Sequence, residues 1–153
     1  MHGPSSSRSR EGAASTVLTS PARCARDAAQ ALGFDEARHE DRIAEVDYGR
    51  WQGRSLKDLA NEEPEALAAW CRDPRAAPHG GESFCDVAAR VAGWLEQLDG
   101  PAEVVAVSHA AVLRAAIVHA LDGPPSAFSR IEIAPLSWIE LRRSARGWSW
   151  WPR

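Results

Sequence analysis

The chain reads as a single α/β domain: a mostly parallel sheet flanked by helices, with an antiparallel hairpin at its C-terminal end. Three observations predict this. Short β-branched runs alternate with amphipathic helical runs, as in chains that build parallel sheets covered by helices. The run Val104-Val105-Ala106-Val107 stops at Ser108-His109, and an alanine-rich helical run begins at once. Beyond residue 130 the pattern changes to alternation around a turn signal, Ser144-Ala145-Arg146-Gly147, which reads as an edge hairpin.

Size and composition set the bounds. At 153 residues the chain is one domain's worth, and 44% hydrophobic and 25% charged residues are ordinary for a globular protein with a real core. A net charge of -3 gives no global attraction to nucleic acid, so any anion site is local. No stretch approaches the roughly 18 apolar residues of a membrane span, and no apolar segment follows the N-terminal basic residues. The reading is therefore a cytoplasmic protein with no membrane and no nucleic acid among its partners. Cys24, Cys71 and Cys85 are odd in number and irregularly spaced, which suits reduced thiols. Cys71, His79 and Cys85 lack the close ligand pairs of a zinc site, so neither a metal nor a cofactor is expected.

Residues 1–15 are rich in Ser, Gly, Arg and Ala without periodicity and read as disordered or loosely docked, which leaves 16–153 as the domain. Thr16-Val17-Leu18-Thr19 is a short strand. Ser20-Pro21 follows as an N-cap with proline at the first helical position, and that helix runs to about Leu32, where Gly33 stops it. A loop through Asp41 to Gly53 carries few strand signals, and long irregular loops often carry function. Ser55 with Asp58 opens one helix and Pro64 another. Ser83 with Asp86 opens a third, whose stripe of Val87, Val91, Trp94, Leu95 and Leu98 is core. A buried strand at 104–107 and a helix at about 110–121 lead to the stop Asp122-Gly123-Pro124-Pro125. Strands are then expected at 130–134, 137–142 and 148–151, the last with its tryptophans packed inward.

The junction at Ser108-His109 is the place to look for chemistry. In α/β proteins ligands gather where strands hand over to helices, and the free N–H groups of the helix's first turn favour an anion. A histidine there adds a donor or a cation, and phosphate is the natural guest; the plainer reading is a histidine that merely caps the helix.

Four segments, taken in order, resemble the histidine phosphatase superfamily, the phosphoglycerate-mutase-like phosphatases: Leu18-Thr19-Ser20-Pro21-Ala22-Arg23, Ile43 through Gly53 around Glu45-Val46-Asp47-Tyr48-Gly49, Gly80-Gly81-Glu82-Ser83, and Val107-Ser108-His109-Ala110. The resemblance spans nearly everything from Thr16 onward and implies a three-layer sandwich. It also implies roles. His109 matches the histidine that hydrogen-bonds the transferring phosphoryl group. Glu45 matches the acid that protonates the leaving oxygen, which requires a raised pKa. Ser20 and Arg23 match the block lining the phosphate site, and Glu82 matches a glutamate that supports the pocket. The implied ligand is a small phosphorylated molecule.

Two departures matter. The family's nucleophile is a histidine in an Arg-His-Gly motif at the end of a first strand, and no such strand precedes Thr16. His2-Gly3 imitates the motif only superficially, because a frayed terminus cannot hold an attacking atom in reach. The family's phosphate-binding arginine falls at Cys24 here, with Arg23 and Arg26 beside it, and a one-residue offset turns a helical side chain by about 100°. An unfilled position in the sheet also admits a homo-oligomer or another segment as its occupant.

Three function classes stay open from sequence. The first is a phosphatase working through phosphohistidine once the nucleophile is supplied. The second is an inactive pseudophosphatase that binds a phosphorylated ligand or partner. The third, nucleic-acid binding through Arg142, Arg143, Arg146 and Arg153 among Trp148, Trp150 and Trp151, is disfavoured by the acidic whole.

Overall fold

The computed structural model describes residues 15–151; the expectations for 1–14, including His2, fall outside the described residues. Its centre is a three-stranded parallel sheet in the order β2-β1-β3, built from β1 (Thr16–Thr19), β2 (Arg38–His39) and β3 (Val104–Val107). β1 and β3 pair from Thr16 with Val104 to Thr19 with Val107. The ladder continues one step past them, where the Ser20 N–H donates to the Val107 carbonyl at 2.9 Å.

Helix α1 (Arg23–Ala31) carries the chain from β1 to β2, as a parallel connection requires. Its N-cap is Ala22 rather than Ser20. Pro21 therefore lies before the helix, and the Ser20 hydroxyl accepts only a long bond from the Ala22 N–H at 3.3 Å. The loop expected between 41 and 53 is present, tightened by single turns of 3-10 helix at Asp41–Ile43 and Gly49–Trp51.

Helix α2 (Leu56–Glu62) starts at Ser55, whose hydroxyl accepts from the Asp58 N–H at 3.1 Å. Helix α3 (Pro64–Arg72) starts at its proline, and α4 (Phe84–Glu96) begins with a full capping box between Ser83 and Asp86. The stripe on α4 is core as expected: Val87 and Val91 are fully buried. They pack with Ile43 and Val46 of the loop and with Val112 and Ala115 of α5 (Ala110–Ala120).

The C-terminal part departs from expectation in three ways. Residues 131–134 follow a 3-10 segment, Pro125–Arg130, and form no strand; Ile133 lines the groove beside the open edge of β3, but the segment makes no ladder with it. The hairpin is instead β4 (Glu140–Ser144) against β5 (Gly147–Trp151), with the turn where the sequence placed it. Trp148 packs on the core, but Trp150 and Trp151 are 47% and 48% exposed, the latter beneath the Arg142 guanidinium at 3.9 Å. Finally, β3 is only half-buried and Ala106 is exposed. Among the described residues β3 has a strand neighbour on one edge alone. Its flank opens on a groove of about 570 Å³, lined by Val104–Val107, Ile133, Leu136, Trp138 and Leu141 and ending at His109. No helix of the described residues is long and apolar enough to cross a membrane.

Candidate active site

The parallel register of β1 and β3 brings their C-terminal ends side by side, so Ser20 and His109 leave adjacent strands at the same level. His109 occupies the N-cap position of α5 in an extended conformation, and its side chain makes no cap bond. The ring is thus free to face inward. Its Nε2 lies 2.8 Å from the Ser20 Oγ and its Nδ1 lies 3.2 Å from Glu45 Oε2. The first intrahelical bond of α5 runs from the Leu113 N–H to the His109 carbonyl. The N–H groups of Ala110, Ala111 and Val112 precede it and, with the start of α1, direct positive backbone dipole toward the same corner.

Three of the five residues singled out from sequence therefore meet here: His109, with its side chain 10% exposed, fully buried Ser20, and Glu45. The fourth, Glu82, stands one step behind. Its Oε2 accepts the Asp47 N–H at 3.0 Å, in the loop that presents Glu45. The fifth, Arg23, is not drawn in. Its side chain is 88% exposed and pairs with Asp27 at 3.7 Å along α1.

The Glu45 carboxyl differs from the expectation of a raised pKa. Burial pushes it up, but the hydrogen bonds from His109 and the Val46 N–H, with the charges of His109 and Arg90, outweigh burial and hold it below the usual value. With no ligand bound, Glu45 is a carboxylate at neutral pH.

Sequence reasoning missed Arg90, which locks this arrangement from α4. Its Nε and Nη2 hold both oxygens of Glu82 at 2.7 and 3.0 Å. The same guanidinium donates to the carbonyls of Arg42 and Ala44 at 2.8 and 2.9 Å, and to that of Glu45 at 3.3 Å. A planar fork with five donors suits three carbonyls and a carboxylate at once, which an ammonium could not match. The only sequence signal was an arginine two helical turns beyond Glu82.

The loop is also interlocked with residues 79–82. The Glu82 N–H donates to the Asp47 carbonyl at 2.8 Å and the Arg50 N–H to the His79 carbonyl at 3.0 Å. A Cβ on Gly49 would come within 2.2 Å of the His79 carbonyl oxygen, and one on Gly81 within 2.0 Å of that of Asp47. Of the four glycines in the matched segments, Gly49 and Gly81 are thus needed for close backbone approach.

Comparison with known proteins gives the family. The family model of the histidine phosphatase superfamily (branch 1) matches residues 6–151. The chain belongs to the histidine phosphatase superfamily. A bifunctional protein of Mycobacterium tuberculosis is 33% identical over 142 residues, covering 86% of this chain and 38% of that protein. A glucosyl-3-phosphoglycerate phosphatase of Mycolicibacterium vanbaalenii is 36% identical over 124 residues, 71% of this chain and 54% of that one. The chain thus spans about half or less of the length of these relatives. A solved mycobacterial glucosyl-3-phosphoglycerate phosphatase in complex with VO3 superimposes with a TM-score of 0.78 at 30% identity, over 88% of this chain and 73% of that chain.

Proposed function

We propose that this chain is the phosphate-binding and proton-donating part of a metal-independent phosphatase that acts on a small phosphomonoester through a phosphohistidine. The observation that carries the reading is the bridge from Ser20 through His109 to Glu45 at the joined ends of β1 and β3. A phosphoryl group entering this corner takes the His109 Nε2 and the helix N–H groups as donors, which spread transition-state charge. Its own negative charge beside Glu45 pushes that carboxyl's pKa up and converts the resting carboxylate into an acid able to protonate the leaving oxygen.

The attacking imidazole forms the P–N bond as the P–O bond to the leaving group breaks; water then cleaves P–N and regenerates the imidazole. Among the described residues the other histidines stand elsewhere: His39 is exposed on β2, His79 is buried beside Trp51, and His119 pairs with Glu96 at 2.7 Å. On this reading the nucleophile lies outside residues 15–151. A sugar-phosphate ester is the substrate class that the name of the Mycolicibacterium relative suggests.

The same lack of a second described histidine at the junction favours one other reading, a phosphate-binding pseudophosphatase. Turnover of an aryl phosphate by the protein with the nucleophile-bearing segment present, with trapping of acid-labile phosphate on the protein, separates the two. The enzyme reading expects turnover that His109→Ala depresses by roughly a hundredfold or more, as for loss of one preorganised donor. Saturable phosphate binding with no turnover above that variant would leave the binding protein.

A further inference from the structure

We propose that His79 is a positioning residue of the site: as a neutral imidazole it accepts the Gly81 N–H and so holds the two interlocked loops that carry Glu45 to His109. The inference rests on the phosphate-site reading above for its functional consequence, and on geometry alone for the contact. His79 is 2% exposed, and its Nδ1 lies 3.0 Å from the Gly81 amide nitrogen. A backbone N–H can only donate, so Nδ1 must be the unprotonated nitrogen and the hydrogen must sit on Nε2. That Nε2 is buried and has no hydrogen-bond partner among the described residues. The ring stands edge-to-face with Trp51 at 5.1 Å and Tyr48 at 5.9 Å, and these two meet Trp70 of α3. A buried ring with no partner on Nε2 bears a neutral N–H at far lower cost than a desolvated cation.

Both loops depend on this residue. Its side chain accepts from Gly81, its carbonyl accepts from Arg50 and abuts Gly49, and the next two bonds of the interlock join Asp47 to Glu82. Protonation abolishes the acceptor, sets an N–H against the Gly81 N–H, and buries a charge. Burial holds the His79 pKa below the ordinary histidine value; the nearby Asp47 carboxylate pushes it up and Arg50 pushes it down. The other charged group at this corner, Glu63, is tied to Arg50 and Arg54. The depressed His79 pKa leaves the interlock intact above the ordinary value of about 6.5, and protonation of the folded chain weakens it as pH falls through the lowered value.

The test compares the wild-type chain with His79→Leu and His79→Asn, the latter keeping an acceptor oxygen near the place of Nδ1. Ring nitrogen NMR of the wild type is expected to show His79 as the neutral Nε2–H tautomer at about pH 7; the other tautomer or a cation overturns the proposal. In the leucine variant the amides of Asp47, Gly81 and Glu82 are expected to exchange roughly tenfold faster, and tungstate affinity to fall by a similar factor, while the asparagine variant restores both to within about threefold. As pH falls below about 6.5, the wild type is further expected to lose tungstate affinity more steeply than the asparagine variant. A folded leucine variant with unchanged exchange sinks the idea. If that variant fails to fold, equal acid sensitivity of wild type and asparagine variant sinks it instead. Wild-type chain that binds no tungstate overturns the phosphate site, and the exchange data still decide on His79.

Discussion

The guanidinium of Arg90 is the most heavily engaged side chain at the back of the site. It joins α4 to three carbonyls and a carboxylate, and all of these partners lie in loops with no regular hydrogen-bond ladder of their own. Removing it strands the Glu82 carboxylate and the carbonyls together. With about a fifth of the Arg90 side chain and a quarter of Glu82 still exposed, solvent softens the loss, so Arg90→Ala is expected to cost about 2 kcal/mol in urea unfolding. Arg90→Lys should recover little, because a point charge cannot reproduce the fork. The Arg90 hydrogen bond is the chief reason that the Glu82 pKa lies below the usual carboxylate value. That stabilisation is fully present above the ordinary glutamate pKa and is lost as pH falls through the lowered one; Arg90→Ala should therefore flatten the acid limb of the stability curve. Residues of this kind are hard to read from sequence. His109, Ser20 and Glu45 stood in recognisable segments, whereas Arg90 and His79 act through backbone carbonyls and amides, which carry no signature in the side-chain text. Arg23 sat in a recognisable segment too, yet its place on the α1 surface turns it to solvent.

At the level of elements, beginnings proved more legible than pairings. Ser55, Pro64 and Ser83 each mark a helix start where the sequence placed it, because these signals are local: the two serines cap residues three further on, and Pro64 has its backbone angle already set for the first turn. The capping box at Ser83 also fixes the entry of α4, from which Arg90 projects. Ser83→Ala is expected to cost about 1 kcal/mol in thermal or urea unfolding, with a parallel loss of protection at the Asp86 amide, the donor to the Ser83 hydroxyl. Ser20 looked like a cap of the same kind. Its hydroxyl is instead held by His109, and the helix begins at Arg23. Strand pairing is a non-local property, which is why 131–134 alternates like a strand and is not one. The hairpin β4-β5 is fastened from a distance by Glu96 of α4, which accepts from Trp148 Nε1 at 2.9 Å and from Arg143 at 3.0 Å. Neither partner could have been assigned from the order of residues.

At the scale of the molecule the α/β class and the parallel sheet were legible, and the openness of β3 was only partly so. The β-branched run at 104–107 reads as a strand buried on both faces; among the described residues one edge of β3 faces an apolar groove. Leu136, on the groove's rim, is 91% exposed and holds a positive φ of 58°, a conformation that L side chains with no local hydrogen bond enter at a cost. Such an edge is a template for another strand. The described domain is expected to bind an apolar fluorescent dye in this groove, and Leu136→Asn should weaken that binding while leaving urea stability unchanged or raised by up to about 1 kcal/mol. Unchanged dye binding would place the apolar surface elsewhere.

The bridge between His109 and Ser20 joins residues 89 apart in the chain. It comes into being only when β1 and β3 pair with Thr19 opposite Val107, and a slip of one residue would turn one of the two side chains to the other face of the sheet. Partially folded chains therefore contain both halves of the site and no site. An oxyanion that needs both halves would select the fully registered chain from all others, acting as a ligand of folding as much as of the folded protein.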